Sequence, residues 1–189
     1  MFTTLKSHLG FGPPGEVLDN ENAPYTVVQK YEGYELREYP ERKWISTKGV
    51  NETKNDRMFW RLFNYISGKN DREEKISMTV PVLTSNERKE NQSLERHMSF
   101  YIPNQFQADP PAPNDEEVKV VTLPSLILYT KMMGGFPDFE KEAGIFKTEL
   151  EAAGHDDVDF SMFYSAGYDN PFKLLNRRNE VMFKKIIKN

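Results

Sequence analysis

Histidine is the side chain best suited to acid–base work or iron ligation near neutral pH, and this chain has three: His8, His97 and His155. No two stand at metal-ligand spacing, and no carboxylate cluster accompanies any of them. His97 falls in the alternating run Arg96–Ile102. That alternation puts it on one strand face with Ser99 and Tyr101, and turns Met98, Phe100 and Ile102 to the core. His97 therefore reads as a surface or rim residue. The absence of cysteine excludes disulfides, thiolate catalysis, zinc fingers and cysteine-held iron–sulfur clusters. There is no glycine-rich phosphate loop, nucleophile elbow or H-E-x-x-H pair. No catalytic residue and no metal site is assigned, and the chain reads as a binding protein, not an enzyme.

Two groups of residues invite a binding role. On a helical wheel of Lys54–Ser67, Tyr65, Met58, Leu62, Ile66, Phe59 and Phe63 fill one broad arc, with Trp60 just past its edge. Lys54, Arg57, Arg61 and Asn64 lie opposite. So wide an arc has two readings: all of it fills core, or one flank lines a groove for a flat, apolar ligand. The second group is Lys173, Arg177 and Arg178 near the end of the chain. They either pair with the carboxylates of a ligand or are solvated and cap a turn with Asp169 and Glu180. Periodicity leaves both pairs of readings open.

The elements that must position these groups follow from pattern. Strands Tyr25–Tyr31 and Tyr34–Tyr39 form a hairpin at Glu32–Gly33, and Lys43–Val50 is a third extended run. Gly68 stops the first helix. Strands Lys75–Leu83 and Arg96–Ile102 flank a polar loop, Thr84–Ser93. After a proline-rich connector, Pro103–Pro113, the order repeats. Strands Val118–Thr122 and Leu126–Met133 come first, then a helix introduced by Pro137–Asp138 and ended by Gly154. Strands Asp159–Ser165 and Asn179–Ile187 close the chain. Phe139, Ala143, Phe146 and Leu150 share a narrow face of the second helix. ISMTVPV echoes FSMFYSA, and HMSFYIP echoes EVMFKKI. The reading is an α+β fold made of a duplicated ββαββ unit with pseudo-two-fold symmetry. Its antiparallel sheet is curved or closed into a barrel, with two helices flanking it. The half-repeats span about 25–102 and 118–187 within one domain, 25–189, after a loose tail at 1–24.

Composition narrows the partners. With 189 residues, 38% of them hydrophobic, the chain can bury one sizeable core. A net charge of -4 with mixed signs argues against nucleic acid. No run approaches a membrane span, and MFTTLKSHLGFGPPG lacks the apolar stretch of a secretory signal. With no disulfide to form, a cytoplasmic location is expected.

Three segments carry a resemblance: ISMTVPV (Ile76–Val82), IPNQFQADPPAP (Ile102–Pro113) and AGYDNPFKLLNRRNEV (Ala166–Val181). With Tyr34–Arg37, Lys43–Thr47 and Tyr65–Asn70 they resemble the SOUL/haem-binding protein family in register from about Tyr25 onward. The resemblance implies a distorted antiparallel β-barrel with two helices, and non-covalent binding of haem or an iron-free porphyrin. Haem would lie in a shallow apolar groove beside the first helix, with basic residues at its propionates. On this sequence those positions are Met58, Phe59, Leu62 and Phe63, with Lys173, Arg177 and Arg178. SOUL-type members can carry a histidine, proposed as axial ligand, in the context Leu36–Arg37–x–Tyr39. Here x is Glu38, and a carboxylate is a poor substitute for imidazole on haem iron. The rival reading is a module that senses a non-haem hydrophobic ligand or a protein partner on the same fold, as bacterial effector-binding domains do.

Overall fold

The computed structural model describes residues 20–50, 56–91, 93–169 and 173–187. Within these, strands β1 (Glu21–Asn22), β2 (Thr26–Lys30), β3 (Glu35–Tyr39) and β4 (Arg42–Val50) precede helix α1 (Asp56–Ile66). Strands β5 (Thr79–Val80), β6 (Val82–Arg88) and β7 (Leu94–Tyr101) complete the first half. The second half holds β8 (Val118–Leu123), β9 (Leu126–Met133), helix α2 (Phe139–Ala152), β10 (Val158–Gly167) and β11 (Asn179–Lys185). The fold is α+β, as the order of elements implies.

Nine strands form one antiparallel sheet in the order β2-β3-β9-β11-β10-β6-β7-β4-β8. Outward from the central β10–β6 pair, each half contributes three adjacent strands and then borrows from the other: the β2–β3 hairpin of the first half joins β9, and β8 of the second half joins β4. That exchange is the pseudo-two-fold. The end strands β2 and β8 are not paired with each other, so the sheet is a curled cup and not a closed barrel.

Both helices cover the convex face. The Asp138 carboxylate caps α2 by accepting from the N–H groups of Glu140 and Lys141, satisfying two of the donors that every helix start leaves orphaned. Ala143, Phe146 and Leu150 of α2 pack on Val181 and Phe183, while Phe139 is only half-buried. Helix α1 packs Met58, Leu62, Phe63 and Ile66 on Ile45, Met98 and Phe100. Gly68 ends it with φ near 107°, a left-handed conformation that costs glycine no Cβ clash. The proline-rich connector straps this end of the helix. Pro111 is buried and its carbonyl accepts the Tyr65 hydroxyl, which is how Tyr65 becomes core.

Three expectations need correction. The stretch Thr84–Ser93 is not a loop throughout, since β6 continues to Arg88. Thr84 and Asn86 are polar but buried, and Asn86 donates to the Ser165 hydroxyl on β10. The boundary expected at residue 24 falls inside ordered structure: β1 pairs in parallel with β5, and Ala23 is buried and donates to the Val80 carbonyl. Phe2, Leu5, Leu9, Phe11 and His8 lie outside the described residues. Finally, the sheet is covered on both faces. Met98 and Phe100 are buried under α1, but Ser99 and Tyr101 are buried too, on the concave side with Trp44.

Candidate functional site

Helix α1 turns most of its arc inward. Met58 and Leu62 are 0% exposed, so both belong to the core beneath the helix and not to an open groove. Phe63 is nearly buried, Phe59 is half-buried, and Trp60 is 49% exposed. These three rings form one cluster: Phe59 stacks on Phe63 at 5.9 Å, and Trp60 meets both edge-on. The solvent-accessible part of this ring cluster is therefore Phe59 and Trp60, with Phe63 buried behind them. Trp60, which the helical wheel sets just past the apolar arc, is the most exposed of the three.

Strand register sets what lies next to that edge. Val120, Ile45, Phe100, Val82, Gly167 and Asn179 form one continuous row across six strands. Phe59 contacts Phe100 at 5.4 Å between ring centroids. Gly167 sits two strands away, about 10 Å at the usual spacing, and a Cβ built on it meets nothing within 4 Å. Val82 and Met78 fill the interval, half-buried against the helix cluster. The loop that carries the three basic residues starts at Gly167 and returns at Asn179. The register thus sets Val82 and Gly167 on the helix side of the sheet near Phe59, and the basic loop leaves the sheet from the end of that row, with Arg178 turned to the concave side beside Tyr168 and Glu180.

The basic residues of that loop already have partners. Lys173 donates to the Asp169 carboxylate at 2.5 Å, and the other oxygen of Asp169 accepts the Arg178 backbone N–H. Burial pushes the Asp169 carboxyl up, but Lys173 and that N–H outweigh it and hold the group below the usual carboxylate range. The Arg178 guanidinium lies over the Tyr168 ring and donates twice to Glu180 Oε1. Glu180 is itself 0% exposed, and it also accepts from Arg37 and from the Tyr168 hydroxyl. Burial disfavours the charges on Arg37 and Arg178, and Glu180 more than compensates, raising both. Arg177 packs on Phe136 and donates to the Lys173 carbonyl. Lys173 is the most open of the three, on the exposed surface.

Iron ligation has little to work with beside Phe59. Glu38 is exposed on β3, and β9, β11, β10 and β6 lie between it and the β7 strand under α1. At about 4.8 Å per strand that is some 24 Å along the sheet, so position 38 stands five strands from the one that Phe59 covers. His97 faces the concave side at the cup's rim, with its Nε2 3.1 Å from Glu95. His155 packs against Tyr31, Tyr34 and Tyr129 beside α2. Among the described residues no cluster of three or more His, Cys, Asp or Glu could hold a metal ion.

A curled antiparallel sheet with two helices on its convex face is a fold found in other solved structures. The C-terminal domain of EcmrR has it (TM-score 0.60, 13% identity, 86% of this chain and 99% of that one), as does SAV2435 bound to tetraphenylphosphonium (TM-score 0.53, 13% identity, 80% and 93%). At such identities the likeness is one of fold alone. Sequence is more specific. The SOUL heme-binding protein family model matches residues 20–184, and the chain belongs to that family. It is 34% identical to human heme-binding protein 2 over 84% of this chain and 81% of that one. Heme-binding protein 1 of the mouse is 37% identical over 75% and 76%, and that of Xenopus laevis 34% identical over 98% and 99%.

Proposed function

We propose that the protein binds haem, or an iron-free porphyrin, non-covalently in the groove between the Phe59–Trp60 edge and the loop from Tyr168 to Arg178, as a cytoplasmic carrier or buffer and not as an enzyme. The observation that carries this reading is the floor: a shared row of strands sets an open Gly167 beside Val82 and the aromatic helix edge. A flat macrocycle lies on such a floor without displacing a side chain. Lys173 stands nearest solvent for a propionate, while Arg178 is turned away to Glu180. Burial of apolar macrocycle at roughly 25 cal/mol per Å2 supplies the binding energy, offset in part by the cost of association. With neither His97 nor His155 beside α1, iron adds little to affinity.

Haemin and iron-free protoporphyrin titrations of wild type, Gly167→Phe and Phe59→Asp test this. Wild type binds both with similar affinity, and each folded variant loses about tenfold or more for both. Unchanged binding in both variants moves the site away from this groove. A strong preference for haemin would instead require a protein ligand on the iron.

A further inference from the structure

The concave face of the sheet carries a site of its own. Strand β4 divides its side chains: Ile45 joins the cluster under α1, whereas Arg42, Trp44 and Ser46 turn into the cup. A cavity of about 180 Å3 opens there between Ser46, Ser85, Ser99, His97, Val121 and Tyr164. A smaller one of about 30 Å3 lies against Trp44 and Arg42, and Leu83 and Leu123 border both. An apolar cavity of about 150 Å3 holds one benzene-sized ring. The wide cavity therefore takes a ring, and the smaller one, the neck, takes only a chain.

The polar groups show which end of a ligand goes where. Ser99 donates to Ser46, and Ser46 to the Met98 carbonyl, so this hydroxyl pair spends its protons on the protein. At the rim, Glu95 engages Lys48 and His97. At the neck the situation is reversed. Arg42 donates through Nη1 to the Glu41 carbonyl and its guanidinium lies beside the Tyr101 hydroxyl, but its buried Nε has no hydrogen-bond partner. A buried donor on a charged group is costly to leave unpaired. Arg42 is also the only charged residue lining the neck, whose other walls are aliphatic, aromatic or proline.

We propose that the cup binds an aryl-alkyl carboxylate, with its ring in the wide cavity, its chain between Leu83 and Leu123, and its carboxylate accepting from Arg42 Nε. Arg42 and Ser46 are four residues apart on one strand, about 13 Å, which a ring with a chain of roughly four carbons spans. The sheet separates this site from the convex groove, and a porphyrin is too large for a ring-sized cavity. The site is independent of the tetrapyrrole reading.

Trp44 and Trp60 are the chain's two tryptophans and lie on opposite faces, so Trp60→Phe leaves Trp44 as sole reporter of the cup. In that background, 4-phenylbutyrate, 4-phenylbutanol and 4-phenylbutylammonium are titrated against Trp44 fluorescence. The acid gives a saturable change, with the alcohol about tenfold weaker and the ammonium weaker still. Arg42→Met removes the preference for acid over alcohol. Ser85→Leu, which fills the wide cavity from a half-buried position, abolishes binding of all three. Haemin titration of Arg42→Met and Ser85→Leu, made with Trp60 intact, matches wild type. Equal affinity for acid and alcohol, a Ser85→Leu variant that still binds, or no Trp44 response to any of the three overturns the proposal.

Discussion

At the level of single residues, burial decides which positions of a matched motif are free to meet a ligand. Glu180 was visible in the sequence only as a possible turn partner for the arginines. The fold makes it a fully buried carboxylate held by Arg37, Arg178 and Tyr168. Removing one partner of a buried ion pair strands the others, a loss of about 3–5 kcal/mol. Glu180→Ala should therefore lower the midpoint of urea unfolding by that equivalent, while Lys173→Ala, which removes an exposed pair with Asp169, should shift it little. If Glu180→Ala unfolds like wild type, the network is not structural, and Arg178 is freer to serve a ligand than its contacts suggest. The same logic separates Phe59 from Met58 on one helix. Both are apolar and in the predicted arc, but only Phe59 retains an accessible edge.

At the level of elements, the helices and most strands follow local pattern, since side-chain periodicity and turn residues act over a few positions. Helix α2 is the clearest case: Pro137–Asp138 signals its start, and the Asp138 carboxylate caps the helix. Asp138→Ala should destabilise the fold by about 1 kcal/mol, measured by chemical denaturation, and leave haemin binding unchanged, because α2 covers β9, β10 and β11 away from the groove. A loss of haemin binding in that variant would tie α2 to the site. Strand β6 marks the limit of local pattern. Its polar Thr84, Ser85 and Asn86 look like loop residues, but the ladders to β7 and β10 satisfy their backbone and bury two of the three side chains. Tertiary pairing overrides propensity there.

At the level of the whole molecule, curling the sheet gives it two interiors. The convex face carries the helices and the tetrapyrrole groove proposed above; the concave face carries the cup. With a sheet between them, the sites should load independently. Haemin affinity measured with saturating 4-phenylbutyrate should stay within about twofold of that without it, and clear competition would mean that both ligands use one face. The sequence by itself determined the two helices, the repeated order of strands, the family and the candidate residues, because these rest on short-range periodicity and on motifs in register. Only the tertiary structure decided which of those residues can meet a ligand. Arg37 and Glu180, 143 positions apart, become one buried pair, and β6 brings Gly167 alongside Phe100 and helix α1. Contacts of that range depend on how the two halves exchange strands, and no local pattern of residues encodes that exchange.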